Sequence, residues 1–127
     1  MDESIIRLSV PALPSYARSV RMMAANLAVL CSMSVDEVED ARMAAEEAFV
    51  CACATGPSTC DMTFWISERS LRMAFSLGGT MPTEDEAIAE QVSLAELLLS
   101  AVSDSYEIAE DGSMIYVTKL AGGADAE

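Results

Sequence analysis

The sequence contains no histidine, one tryptophan and only seven basic residues. Without histidine there is no imidazole to ligate zinc or to act as a general base near neutral pH. Seven basic against 21 acidic residues give a formal net charge of −14. Nucleic-acid binding requires Lys and Arg to neutralise phosphates, so this balance argues against it, and equally against an anionic membrane surface. No apolar run approaches the eighteen or so residues of a membrane span. The first residues, MDESIIRLSV, are acidic and carry no signal-peptide pattern, so a cytoplasmic protein is expected. Cys31, Cys51, Cys53 and Cys60 lack the paired spacing of a metal site. We read them as reduced, mostly buried thiols, and expect no metal and no cofactor. No internal repeat is present.

What remains is a chain of 127 residues with 52% hydrophobic content, enough for one folded domain with a single core. Its acidity suits either a basic protein partner or simple solubility.

The best-formed helix runs from Ser34 to Thr55. Ser34 and Glu37 have the spacing of a capping box, and Asp36 and Glu37 suit the positive end of the helix dipole. Val38, Ala41, Ala45, Phe49 and Ala52 form one apolar stripe, with Asp36, Asp40 and Glu47 opposite. Beyond Glu47 the polar face ends. Residues Ala48 to Ala54 are apolar or thiol all round, which predicts that this half of the helix is covered on all sides.

The rest of the chain supplies alternating strands and two further helices. Ile5–Val10 reads as a strand, and Pro14–Cys31 as a helix with Val20, Ala24, Leu27 and Cys31 on one stripe. Gly56-Pro57-Ser58 stops the long helix. Thr59–Ser67 and Leu71–Leu77 both alternate, and Glu68-Arg69-Ser70 between them predicts an antiparallel hairpin. After the loop at Gly78–Pro82, Thr83 and Glu86 have capping-box spacing ahead of a helix to about Ser103. That helix packs through Ile88, Val92, Ala95, Leu99 and Val102. Tyr106–Ala109 and Met114–Leu120 form a last hairpin across Asp111-Gly112. We expect an α+β, two-layer α/β sandwich over residues 1–120. It has about five mostly antiparallel strands with three helices on one face. A disordered tail is expected over 121–127.

The run Glu39-Asp40-Ala41-Arg42-Met43-Ala44-Ala45-Glu46-Glu47-Ala48 resembles the helix of the anti-sigma-factor serine kinases, members of the GHKL (histidine-kinase-like) ATPase superfamily. The family form is E-D-x-x-x-A-x-x-E-A-x-x-N-A-x-x-H. The resemblance is specific over this helix and extends more loosely to the element order from Ile5 to Leu120, implying the GHKL fold. It places Glu47 at the general-base position, Cys51 at the magnesium-binding asparagine and Thr55 at the histidine. The family's D-x-G-x-G motif falls on Ser76-Leu77-Gly78-Gly79, so Ser76 stands for the adenine-binding aspartate and Gly78 is retained. The phosphate-wrapping G-L-G-L turn falls on Val92-Ser93-Leu94-Ala95, without glycine and inside a helix. The lid is replaced by TMPTEDEAIAEQ, rich in carboxylates. Cys51 cannot replace an amide oxygen on a hard cation. Carboxylates oppose phosphate where glycine amides would attract it.

The resemblance therefore implies a degenerate member: a non-catalytic regulatory protein that binds other proteins, with its ATP site lost. The implied partners are a sigma factor, an antagonist protein or a second copy of the chain as a homodimer. The alternative is an active ATP- and magnesium-dependent serine/threonine kinase and anti-sigma factor with an atypical site. A small-molecule domain using the remodelled pocket is a third class.

Overall fold

A computed structural model describes residues 3–79 and 85–122. Strand β1 (Ser4–Pro11) leads through a 3-10 turn at Pro14–Tyr16 into helix α1 (Ala17–Leu30). Helix α2 (Val35–Thr55) follows, then the hairpin β2 (Thr59–Ser67) and β3 (Ser70–Ser76). Helix α3 (Glu86–Val102) precedes a second hairpin, β4 (Ser105–Ile108) and β5 (Met114–Leu120). All five strands join one antiparallel sheet in the order β1-β2-β3-β5-β4. The expected α+β sandwich is the observed architecture.

The strand register explains why one face of the sheet is buried. Met62 pairs with Phe75, Phe64 with Met73 and Ile66 with Leu71. On β3 and β5, Met73 pairs with Val117 and Phe75 with Ile115. Directly opposed residues share a face, and all of these are buried. Phe64 and Phe75 meet edge to face, ring centroids 6.3 Å apart, the arrangement aromatic quadrupoles favour. Helix α2 lies over this face between α1 and α3. It contributes Ala41, Ala45, Phe49 and Ala52, with Val20, Ala24 and Leu27 from α1 and Cys31 from its C-cap. Val92, Ala95, Leu99 and Val102 come from α3. Each fully buried Phe stabilises the fold by roughly 2–3 kcal/mol.

Helix α2 starts and ends as the sequence predicts. The Ser34 hydroxyl accepts from the Glu37 N–H at 3.2 Å, and the Glu37 carboxylate accepts from the Ser34 N–H at 2.8 Å. Gly56 caps the other end at φ 76°, a left-handed conformation that suits glycine.

Four expectations are corrected. The α-helix after Pro14 begins only at Ala17, because the first turn winds as 3-10. The first hairpin turns on two residues, since Ser70 already pairs with Ser67. Arg69 adopts φ 69°, held there by bonds to the Cys31 and Ala121 backbones. Thr83 lies outside the described residues, and the cap of α3 is Asp85, whose carboxylate accepts from the Ala87 and Ile88 N–H groups. Lastly, the disordered tail expected from residue 121 does not start there, and residues 123–127 lie outside the described residues. Ala121 is buried and donates to the Arg69 carbonyl at 2.9 Å, and Gly122 donates to Glu37 at 2.8 Å.

One charge crosses between the layers. Lys119 pairs with Leu71 across the strands, so it faces the helices. Its side chain is only 12% exposed and reaches Asp40 of α2 at 3.3 Å and Asp104 at 4.0 Å.

Candidate functional site

The apolar second half of α2 is covered on one side only: Ala48, Phe49, Cys51, Ala52 and Thr55 are buried, whereas Val50, Cys53 and Ala54 are half-buried, which corrects the expectation of cover on all sides. Helical geometry turns Glu47 and Cys51, one turn apart, toward the same side. Glu47 is half-buried, and burial, assisted by the neighbouring Glu46, raises its carboxyl above the ordinary value. Cys51 is fully buried. Burial, with smaller contributions from Glu96 and Glu47, pushes its thiol up to about 12. Helix α3 therefore brings a carboxylate to the side of α2 where the resemblance puts a metal ligand. Glu96 is itself held there by the Tyr106 hydroxyl, which donates to it at 3.1 Å. A neutral, buried thiol offers no ligand to magnesium.

Thr55 and Gly78 bond each other, while Ser76 bonds the neighbouring strand β2. The Thr55 hydroxyl sits 2.9 Å from the Cys51 carbonyl, to which it donates, and accepts the Gly78 N–H at 2.8 Å. Helix α2 is thus fastened to the exit of β3. Gly78 approaches so closely that a Cβ there would overlap the Thr55 carbonyl. The Ser76 hydroxyl accepts from the Asp61 N–H at 2.8 Å, and the Ser76 carbonyl receives the Cys60 thiol at 3.5 Å. Ser76 therefore ties β3 to β2. Among the described residues no buried polar side-chain atom lacks a partner, so none is left waiting for a ligand.

The start of α3 is equally occupied. Helix N-termini hold phosphate through free amides, yet here the Asp85 carboxylate takes the Ala87 and Ile88 N–H groups. Glu86 adds a second negative charge to the first turn. Magnesium and a nucleotide triphosphate do not fit this set of residues. Among the described residues no cluster of three acidic or thiol groups could hold a metal ion.

A separate groove of about 300 Å³ opens beside α2, between the start of α1 and Gln91 of α3. Phe49 and Val50 form its apolar wall, and Cys53 and Gln91 line it. The Arg21–Glu46 ion pair, at 3.2 Å, stands beside them. None of Glu47, Cys51, Thr55, Ser76 or Gly78 lines this groove.

No family model matches the chain, and no curated protein matches it in sequence. Among the described residues no helix is long and apolar enough to cross a membrane.

Sequence reasoning missed Glu96, Tyr106 and Asp85 at this site. Asp85 follows Thr83 at a spacing that makes both plausible caps. Tyr106 carried a signal in its alternation with Ile108, which puts both on the helix-facing side of β4.

Proposed function

We propose that the protein is a non-catalytic regulator that works by binding other proteins, a degenerate relative of the anti-sigma-factor serine kinases. The observation that carries this reading is the Thr55–Gly78 fastening. Residues that would line a nucleotide pocket are spent closing it. The neutral Cys51 thiol and the carboxylate-capped start of α3 point the same way.

The outward surface of α3 suits a protein partner. Leu94 and Leu97 are exposed, 58% and 66%, on a helix whose exposed carboxylates are Glu86 and Glu90 and which carries no basic residue. Apolar side chains among carboxylates match a basic amphipathic segment. A sigma factor or an antagonist protein is the partner class that the resemblance suggests.

Calorimetry of the purified protein with magnesium and ATP tests the reading. The expected result is no saturable heat, or binding no tighter than millimolar. Cys51→Asn alone restores nothing, because the Thr55–Gly78 contact and the Asp85 cap remain. Low-micromolar binding that Glu47→Ala abolishes would overturn the proposal in favour of an active kinase with an atypical site.

A further inference from the structure

The exposed side of α3 is divided lengthwise by chemistry. Its outer stripe runs Glu86, Glu90, Leu94, Leu97 and Ala101, at the three- and four-residue spacing of one helix side. Val92, Ala95, Leu99 and Val102 hold the opposite side on the core. Carboxylates occupy the first two turns of the stripe and apolar side chains the rest. Glu96 is half-buried and taken by the Tyr106 hydroxyl, so it stands apart from this face.

Charge narrows what can cover the stripe. Nucleic acid and anionic membranes are repelled by Glu86 and Glu90 and by a chain of net charge −14. What fits is a helical segment with Lys or Arg at one end and apolar anchors at the other.

The helix dipole decides which end is basic. Lys and Arg stabilise a helix at its C-terminal end and oppose the dipole at its N-terminal end. A partner helix with its basic residues in the last two turns is therefore the more stable form. Lying antiparallel to α3, it sets those turns over Glu86 and Glu90 and its apolar first half over Leu94, Leu97 and Ala101. The start of α3 accepts the approaching cations, because Asp85 and Glu86 outweigh the partial positive charge of that helix end. Helix α1 of a second copy has the reverse order. Arg18 stands at its start, Arg21 is spent on Glu46, and the exposed Met22 and Val29 come after them.

We infer that the outer stripe of α3 receives, antiparallel, an amphipathic helix of another protein with apolar residues in its first half and Lys or Arg in its last two turns. This rests on the protein-binding reading above and names the partner's chemistry. Its test uses no nucleotide, so it can fail while ATP stays unbound, and the two failures are distinguishable.

Two synthetic peptides of one composition, each as long as α3, serve as probes. The first carries leucines along one side of its first half and lysines in its last two turns; the second reverses that order. Isotope-labelled protein is titrated with each and followed by NMR. The first peptide should bind with a dissociation constant of roughly 100 µM and the second about fivefold more weakly. A nitroxide on the N-terminus of the first peptide should broaden the amide signals of residues 97–102 and spare those of 87–90. Leu97→Asp, at an exposed position where circular dichroism should not change, should weaken binding about tenfold. Glu86→Gln with Glu90→Gln should weaken it about fivefold and remove most of its salt dependence. No saturable shifts with the first peptide, an affinity that Leu97→Asp leaves unchanged, or broadening at 87–90 overturns the inference. Self-association of the protein alone that Leu97→Asp abolishes would give the stripe to a second copy, and overturns it too.

Discussion

Gly78 is the residue at which the resemblance and the structure give a glycine two different uses. The resemblance reads it as a glycine that admits a nucleotide. The structure uses the missing side chain to admit the Thr55 backbone. Gly78→Ala should therefore destabilise the fold by about 1–3 kcal/mol, the usual cost of forcing an atom into a filled site. Thr55→Val keeps the shape but leaves the Gly78 N–H without its acceptor, at a cost of about 1–3 kcal/mol. Thr55→Ser keeps the hydroxyl and should recover most of that loss. Urea unfolding measures all three. A neutral Thr55→Val would mean that the fastening contributes nothing. The resemblance assigns Thr55 and Gly78 to one pocket, and in the structure a hydrogen bond joins them. The sequence could not show that they touch, because the contact spans 23 residues and depends on how α2 leaves the sheet.

At the scale of elements, local chemistry was the legible part. The capping box at Ser34, the stop at Gly56 and the alternation of Cys60, Met62, Phe64 and Ile66 all rest on neighbours within a few residues. The helix and strands formed where these signals put them. What stayed hidden depends on distant partners. Lys119 breaks the apolar alternation of β5, and only the approach of Asp40 and Asp104 makes its burial tolerable. Arg69 sits in a left-handed turn because Cys31 and Ala121 hold its backbone. Asp85 caps α3, two residues beyond the position the capping-box spacing points to, a difference that spacing cannot resolve. The legible signals also predict energies. Ser34→Ala removes one half of a reciprocal cap and should lower stability by about 1 kcal/mol. Thermal and urea unfolding should agree on that value. A loss near zero would show that Asp36 and Glu37 cap the helix without the hydroxyl.

For the whole molecule, the buried thiols set an upper pH limit. Burial pushes Cys51 and Cys60 from the ordinary value of 9.0 up to about 12. A folded-state value above the unfolded one means that the native protein holds the proton longer. Stability is then complete below pH 9 and falls as pH rises from there toward 12, because the unfolded chain loses its thiol protons first. Between pH 8 and pH 10 each thiol should cost about 1.4 kcal/mol, or about 2.7 kcal/mol for the pair. Cys31 and Cys53, also raised by burial, add in the same direction. Carboxylate repulsion is no rival explanation, since its groups are already ionised across this window. The remaining rivals, Tyr and Lys titration, are unchanged in a thiol variant. Urea unfolding of the wild type and of Cys60→Ala at both pH values therefore isolates the effect. Removing the Cys60 thiol should weaken the protein at pH 8 through the lost packing. It should also reduce the further fall to pH 10 by about 1.4 kcal/mol. An equal fall in both proteins would mean that the Cys60 thiol ionises as readily folded as unfolded, and that water reaches a core the sheet and helices are arranged to seal.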